Sequence, residues 1–416
     1  MEHNDARPVS ASRRIVVLDA LRGFALMGIA LANFPEFSLW SFLSDAEQGA
    51  LPTAAADGTV RYLQYLLVDG KFYTIFSVLF GIGFSIIISH ALERGADGLR
   101  VFRRRMLLLL LIGLLHLVFI WSGDILALYA ALGLLLPLFR NRSERQLLAW
   151  AFGWLLLPVL VAAWRSLSGL DPSEWLHRQA WAVAGSQGIS DENYAVWLRD
   201  AQCYADVFRF LLHGAVERMW EFVSWQRYFK VLGLFLVGYY IGKSRLHLHL
   251  DARRPLLVRI AGAGLLAGLP LSALYAFDCV GGHPWGPVVH ELLYALSVYP
   301  LGFAYMALFC LAFLRFSSWR GWRILACPGR MALTCYIGQS LAGIVLFYGI
   351  GFGLGTGVGL WPTELIALAV FAFEIMVSWL WLRFFNFGPL EWIWRMLTYG
   401  KWFRLVKTGN GSVDFS

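Results

Sequence analysis

Residues 103–121, RRRMLLLLLIGLLHLVFIW, decide the class of this protein. Three arginines precede an apolar run that is long enough to cross most of a bilayer as a helix, and His116 is the one strongly polar residue within it. Similar runs recur along the 416 residues. Apolar residues make up 58% of the chain and charged residues 15%, and a soluble fold of this length could not bury so much apolar surface. The sequence therefore predicts an integral membrane protein.

The apolar runs predict an all-α fold, a polytopic helix bundle with about ten transmembrane helices. The shortest run, 124–139, is accepted as a span because its neighbours span. The predicted helices cover residues 15–34, 70–90, 104–121, 124–139, 146–164, 226–242, 256–277, 288–314, 331–350 and 364–385.

Positive charge predicts how the bundle is oriented. Alternate connections, beginning with residues 1–14, carry 24 Lys and Arg residues, whereas the other connections carry 5. Cytoplasmic loops are enriched in these residues, so we expect both termini in the cytoplasm. The net charge of +8 is explained in the same way, and no nucleic-acid-reading motif accompanies it. The bilayer is the predicted partner, not nucleic acid.

The chain divides into three parts. Residues 1–165 hold the first five predicted helices, and residues 225–416 hold the last five. Between them, residues 166–224 form an outer loop in which apolar residues recur at helical spacing among charges, which predicts an amphipathic helix.

Polar residues in the first predicted helix form one candidate substrate site. Asp19 and Arg22 are three residues apart and can pair on one face. Arg22 and Asn33 are eleven apart, about three turns, so they share a face roughly 16 Å apart along the axis. A structural ion pair is the alternative for Asp19 and Arg22.

The next helices add a candidate catalytic pair. His116 and Asp124 flank the short turn after the third helix, and a carboxylate that fixes the tautomer of a histidine is typical of a general base. Lys71 and Gln339, at or within spans, complete the candidate substrate-binding set. For these groups a purely structural role within the bundle is the alternative. No cysteine pair or histidine shows metal-ligand spacing, so no metal is predicted.

Several ordered motifs give a more specific expectation. DALRGFALMGIALAN at 19–33, GKFYTIFSVLFGIG at 70–83 and the segment 103–133 resemble the YeiB-like bacterial membrane proteins. GRMALTCYIGQS at 329–340 and FFNFGPLEWIWRMLT at 384–398 resemble the C-terminal domain of unknown function 418 of that family, although Cys335 stands where Asn is expected. The resemblance implies a multi-pass protein of the bacterial cytoplasmic (inner) membrane.

The first helices are also similar to the wider transmembrane acyltransferase superfamily, which includes heparan glucosaminide N-acetyltransferase and bacterial cell-surface O-acyltransferases. Many of the O-acyltransferases carry Arg, ten residues and then His in the first helix; this chain has Arg22 and Asn33. The resemblance implies transfer of an acyl group from cytoplasmic acyl-CoA, as donor substrate, to a small-molecule or envelope acceptor outside. His116 and Asp124 would then supply the base.

Two other classes of function remain open. Intramembrane His, Asp and Glu side chains also suit a small-molecule transporter or exporter, and a non-catalytic membrane scaffold or sensor needs none of them. The sequence leaves open whether the chain is an enzyme, whether it forms a homo-oligomer, which acceptor it takes and how long the acyl chain is.

Overall fold

The fold is helical throughout the part of the chain that the structure describes. The computed structural model describes residues 16–93 and 97–407. Among these residues, β-type pairing is limited to one isolated antiparallel bridge between Phe385 and Val406. The helices of the first half are α1 (Val16–Phe37), α2 (Asp45–Ala50), α3 (Ala54–Leu67), α4 (Lys71–Glu93), α5 (Gly98–Phe119), α6 (Leu126–Gly133), α7 (Glu144–Ser168), α8 (Glu174–Ser186), α9 (Tyr194–Asp200) and α10 (Tyr204–Ser224). Those of the second half are α11 (Arg227–Lys243), α12 (Arg254–Val280), α13 (Gly286–Arg315), α14 (Gly321–Arg330), α15 (Ala332–Phe347), α16 (Leu360–Phe384) and α17 (Pro389–Tyr399).

Six helical segments of the described residues are long and apolar enough to cross a membrane: Val16–Phe37, Ala54–His90, Glu144–Ser168, Asp251–Val280, Gly286–Arg315 and Leu360–Phe384. A seventh span results if α14 and α15, bent by 78° at their junction, count as one. Large apolar side chains such as Leu160, Leu266 and Phe373 are exposed on these segments, as expected of a lipid-facing surface. The chain is a multi-pass membrane protein.

The predicted number of ten spans is not confirmed. Residues 124–139 do not form one helix, because α6 ends at Gly133 and a 3-10 turn follows at Leu136–Phe139. Pro137 has no amide hydrogen to donate to the Gly133 carbonyl, so one helical hydrogen bond is missing at the point where α6 gives way to the 3-10 turn. α11, with 17 residues, is shorter than the helices that meet the length of a span, and the arginines at the start of α5 shorten its apolar part.

Two further differences concern the loops. α3 lies mostly in a segment expected to be a connection, because its Thr, Asp, Gln and Arg residues keep its hydropathy below that of an apolar span. Residues 331–350 are not a straight span, because the chain turns sharply between α14 and α15. The tail 1–14 and part of the 91–105 connection, both used for orientation, lie outside the described residues, and the cytoplasmic position of the termini stays a prediction.

α1 occupies the centre of the molecule. It packs against α4, α14, α15 and α16, and Leu26, Ala30 and Phe34 are buried in the main apolar core. Glycines allow the closest approach between α1 and α14: a Cβ on Gly329 would stand 1.9 Å from the Asp19 carbonyl oxygen. Close backbone contact through small residues is typical of helices that pack inside membranes. This contact places Arg22 beside the end of α14.

Candidate functional site

A large cavity runs along α1. Its volume is about 1310 Å³, and its lining includes Asp19 and Arg22 near the start of the helix and Asn33 and Glu36 near its end. At 1.5 Å per residue, positions 19 and 36 are about 25 Å apart along the axis. α4 lines the same cavity from Phe72 to His90. The cavity therefore extends through most of the thickness that these two helices span.

The end of the cavity near Arg22 is rich in cations. Arg22 donates to Asp19 Oδ1 at 2.7 Å and to the Gly329 carbonyl oxygen at 3.2 Å, so the predicted pair exists and is tied to α14. Arg105 and Arg330 line the same region, and the Arg105 guanidinium stacks on Trp394 at 3.7 Å from the ring centroid. The Nε of Arg330 is buried and makes no hydrogen bond within the described residues. This end can receive an anion.

A carboxylate fixes the wall of this end. Glu391 of α17 accepts hydrogen bonds from the Leu333 and Thr334 amides and from the Thr334 hydroxyl, at 2.6 to 3.0 Å. It thereby caps the first turn of α15. Burial raises the pKa of Glu391 although these hydrogen bonds act in the opposite direction. Glu391 thus holds α15 and α17 together beside the arginines.

The other end of the cavity is rich in carboxylates. Glu36 from α1 faces Glu217, Arg218 and Glu221 from α10, and all of them line the cavity. Arg218 is ion-paired with Glu221, and its Nε donates to the Asp124 carbonyl oxygen at 3.1 Å. Within the described residues, the side chains of Asn33 and Glu36 form no hydrogen bond or ion pair. They are therefore free to contact a ligand.

The outer segment supplies a wall of the cavity. His213 Nδ1 lies 2.8 Å from the Ala180 carbonyl oxygen, and its Nε2 lies 3.2 Å from Glu217 Oε2. Burial alone would lower the pKa of His213, but the adjacent Glu217 carboxylate outweighs it and the pKa is raised. Burial alone would raise the pKa of Glu217, but His213, the Tyr194 hydroxyl and Arg218 outweigh it and the pKa is lowered. His213 therefore links α10 to α8 through the Ala180 carbonyl oxygen, while Glu217, one turn further along α10, holds its other ring nitrogen.

His116 and Asp124 are in contact, as their positions suggested. His116 Nδ1 is 2.9 Å from Asp124 Oδ2, and Nε2 is 3.0 Å from Ser340 Oγ. The chain Asp–His–Ser has the order of a nucleophilic triad. None of the three side chains lines the cavity, however, and the side chains of His116 and Asp124 are fully buried. Tyr336, whose ring centroid is 5.3 Å from that of His116, does line it. The catalytic role of His116 stays a prediction.

Lys71 and Gln339 lie outside the cavity and are bonded to other parts of the protein. Lys71 is fully buried, donates to the Tyr65 carbonyl oxygen at 2.5 Å and lies 5.2 Å from the Tyr275 ring centroid. Gln339 donates to Glu374 at 2.8 Å. Neither lines the cavity. Of the predicted substrate-binding residues, the structure brings Asp19, Arg22 and Asn33 to the cavity and leaves Lys71 and Gln339 outside it.

Sequence reasoning missed two groups of cavity residues. Glu36 was overlooked although it follows Asn33 by three residues on the same helix, which was the available signal. Cys279, His283 and His290 form the second group, and one ligand atom from each can be chosen so that all lie within 4.8 Å of one another. These three residues are the ones in the described part of the chain that could hold a metal ion; their spacing resembles no common metal motif.

Fold and site define a multi-pass helical membrane protein with a cavity along its central helix and charged side chains at both ends of that cavity. A family model described as a protein of unknown function (DUF418) matches residues 241–401. The uncharacterised protein YxaH of Bacillus subtilis (strain 168) is 30% identical over 411 residues, covering 96% of this chain and 98% of its own. The uncharacterised protein YeiB of Escherichia coli (strain K12) is 29% identical over 408 residues, covering 92% and 96%.

A third relative has similar coverage. The uncharacterised 39.9 kDa protein in the amylase 3′ region of Bacillus acidopullulyticus is 30% identical over 407 residues, with 96% of this chain and 98% of that protein covered. No solved structure matches. The chain belongs to the YeiB-like family of membrane proteins, and the similarity extends through the outer segment as well as the motifs of α1, α4 and α5.

Proposed function

We propose that this protein is a membrane-embedded acyltransferase. It would take an acyl group from acyl-CoA bound at the arginine-rich end of the cavity and deliver it to a hydroxyl or amine acceptor at the carboxylate-rich end. The observation that carries the proposal is the cavity itself: it joins the cations around Arg22 to the free side chains of Asn33 and Glu36 along one helix. A protein of the bacterial cytoplasmic membrane with this arrangement could act on an acceptor outside while its donor stays inside.

The donor end is suited to CoA phosphates. Arg22, Arg105 and Arg330 present guanidinium groups, which bind phosphate through charge-assisted hydrogen bonds. Asp19 orients Arg22 by accepting a hydrogen bond at its Oδ1 from the guanidinium Nη1, over 2.7 Å. The thioester would then lie further along α1, and the pantetheine arm would bridge the roughly 16 Å between Arg22 and Asn33.

The acceptor end is suited to acyl transfer. The acceptor oxygen or nitrogen would attack the thioester carbonyl while Glu36 takes its proton. The Asn33 side-chain amide would donate to the oxyanion that forms. When the carbonyl re-forms, the carbon–sulfur bond breaks and the CoA sulfur receives the proton from Glu36. The products are the acylated acceptor and free CoA.

His116 and Asp124 take a positioning role in this scheme. Asp124 holds His116 through its side chain and Arg218 through its carbonyl oxygen, so the pair fixes one wall of the acceptor end. A direct role for His116 as base, the expectation from the sequence, would require its fully buried side chain to become accessible from the cavity. A positioning role predicts that an Asp124 variant loses stability, whereas a catalytic role predicts that it loses activity at unchanged stability.

The test is thiol release from a panel of acyl-CoAs by the detergent-purified protein, with and without candidate acceptors. We expect release by the wild type and loss of it in Arg22→Ala and in Glu36→Gln. Arg100→Ala, at a largely exposed arginine outside the cavity, and Glu192→Gln, at an exposed glutamate, are the matched controls. Release that is equal in Glu36→Gln and the wild type would overturn the assigned base.

A transporter of small molecules is the second candidate, favoured by the length of the cavity along both α1 and α4. Purified protein in proteoliposomes distinguishes the two. Transport requires flux of an unmodified solute, whereas acyl transfer requires covalent change of the acceptor. If no acyl-CoA releases thiol or raises the melting temperature of the protein and flux is observed, the transport function replaces the enzymatic one.

A further inference from the structure

Four potential metal-binding or metal-orienting side chains meet where α12 turns into α13. Asp278 and Cys279 end α12, His283 lies in the connection, and His290 lies early in α13. Gly282 and His283 both have positive φ, +70° and +61°, and the His283 amide donates to the Asp278 carbonyl oxygen at 2.8 Å. This tight turn folds the His283 side chain back over the end of α12, beside His290.

The two imidazoles share one carboxylate. Asp278 Oδ2 is 3.1 Å from His283 Nδ1 and 2.9 Å from His290 Nδ1, and the ring centroids are 4.2 Å apart. A carboxylate that accepts from Nδ1 leaves the lone pair of a neutral imidazole on Nε2. Metal-ligating histidines are held in this way by carboxylates in many proteins.

Cys279 adds a sulfur donor. One ligand atom from each of Cys279, His283 and His290 lies within 4.8 Å of the others. Ligand bonds of about 2.0–2.3 Å place tetrahedral ligands nearer than this, so a metal would draw the three groups together. The side chain of His283 is 50% exposed and has room to move.

A second observation points to a missing ligand. The Asp278 side chain is fully buried, yet its Oδ1 has no hydrogen-bond partner among the described residues. A buried carboxylate oxygen without a partner is costly, and a cation nearby relieves that cost.

We propose that Cys279, His283 and His290 bind one divalent transition-metal ion, of which Zn²⁺ fits the donor set best. Asp278 is the positioning residue that orients both imidazoles. Thiolate and imidazole ligands favour zinc over magnesium or calcium. All three ligands line the cavity, so the fourth coordination position is left for water or for a ligand in the cavity. The site is independent of the acyl-transfer proposal.

The experiment measures metal binding by the full-length protein in detergent, purified through a tag that contains neither histidine nor cysteine. After removal of metal with a chelator, Zn²⁺ is titrated against a chromophoric competitor. We expect one equivalent per chain and at least a tenfold loss of affinity in Cys279→Ser and in His290→Asn. Asp278→Asn should weaken binding by about 10–100-fold without removing a ligand.

Two substitutions serve as controls. Cys203→Ser changes an exposed cysteine and His249→Asn an exposed histidine, both outside the cluster, and both should bind Zn²⁺ like the wild type. Each variant is checked for folding by gel filtration and melting temperature without metal. Equal Zn²⁺ affinity in the wild type, Cys279→Ser and His290→Asn would overturn the proposal.

Cobalt gives an answer even if the ligand variants fail to fold. Co²⁺ bound by the wild type should show a thiolate-to-metal charge-transfer band and the intense visible absorption of tetrahedral coordination. The same spectrum is expected for Cys203→Ser. A Co²⁺ spectrum without the thiolate band in the wild type would overturn the assignment of Cys279 as a ligand and, with it, the site.

Discussion

Asn33 and Glu36 stand three residues apart on α1, both line the cavity, and within the described residues neither side chain is engaged in a hydrogen bond or an ion pair. Both are in reach of a molecule in the cavity, in a part of the fold where His116, Asp124 and Lys71 are already committed to protein partners. The chemistry of the acceptor end therefore depends first on Asn33 and Glu36.

Replacing Glu36 by Gln should abolish acyl transfer and leave the fold intact. The amide has the same shape but cannot take a proton at neutral pH, and Glu36 makes no hydrogen bond or ion pair among the described residues, so only a longer-range attraction to Arg218 and Arg227 is lost with the charge. The measurement is the rate of thiol release, at saturating acyl-CoA and acceptor, next to the melting temperature. A large fall in melting temperature with residual activity would assign Glu36 a structural role.

Asn33→His is the complementary change. Many of the O-acyltransferases to which the sequence of α1 was expected to be similar carry histidine at this position, and in the proposed reaction that side chain would act in the cavity beside Glu36. We expect Asn33→His to keep activity and to restore part of it in the Glu36→Gln background, because the imidazole can accept the proton. Asn33→Leu, of similar size without polar atoms, is the control and should be inactive. Equal rates in Asn33→His and Asn33→Leu would contradict the assignment.

Asp124→Asn should destabilise the protein by about 1–3 kcal/mol, the usual cost of losing a buried hydrogen bond to a charged group. The change weakens the bond to His116 Nδ1 but leaves the backbone carbonyl that receives Arg218. Thermal denaturation in detergent measures the loss. Ser340→Ala, which removes the hydroxyl next to His116 Nε2, should cost less. An Asp124→Asn variant that is inactive at an unchanged melting temperature would instead support His116 as the base.

The ion pair between His213 and Glu217 on α10 should depend on pH. The pKa of His213 is raised, so its stabilising contribution is complete below the unfolded value near 6.5 and is lost as pH rises through the folded value. The pKa of Glu217 is lowered, so its contribution is complete above about 4.5 and is lost as pH falls through the folded value. The pair is therefore strongest between about pH 4.5 and 6.5.

His213→Gln tests this dependence. The difference in melting temperature between the wild type and His213→Gln should be greatest near pH 6 and shrink as pH rises above the folded pKa of His213. Ser186→Ala, at an exposed residue of α8 that has no titrating side chain, is the control and should show a pH-independent difference. A constant difference for His213→Gln across the range would show that the ion pair does not form.

Hydropathy and charge were enough to predict an all-helical membrane protein. The transfer of apolar side chains from water to lipid is the largest favourable free energy in such a fold, and long apolar runs are visible in the sequence. The breaks were harder. Pro137 lies in the 3-10 turn that interrupts the fourth predicted span after Gly133, but prolines also lie inside α7, α12 and α13, so a proline alone does not predict a break. The Arg22–Asp19 pair follows from helical spacing, and it is present.

Contacts between distant segments could not be predicted. The bond from Arg22 to Gly329 joins residues 307 positions apart, and nothing in the local sequence of either encodes it. The cysteine–histidine cluster depends on the positive φ of His283, which a single sequence does not reveal. The role of α10 as a wall of the cavity was equally hidden, since an amphipathic pattern does not say what its polar face meets.

Gly329→Ala should be strongly destabilising because the new Cβ would stand 1.9 Å from the Asp19 carbonyl oxygen and 2.8 Å from the Gly23 amide nitrogen, both fixed backbone atoms of α1. Overpacking of this kind typically costs about 1–3 kcal/mol. α14 would have to move away from α1, which also breaks the hydrogen bond from Arg22 to the Gly329 carbonyl oxygen at 3.2 Å, so the apparent affinity for acyl-CoA should fall together with the melting temperature.

Gly262→Ala in α12 is the matched control, since nothing lies within 4 Å of its Cβ position. It should be neutral or stabilise the helix by roughly 0.5–1 kcal/mol. If the melting temperatures of both variants fall equally, or if both stay at the wild-type value, α1 and α14 are not packed in this way. The proposed shape of the arginine-rich end of the cavity would then lack its supporting contact.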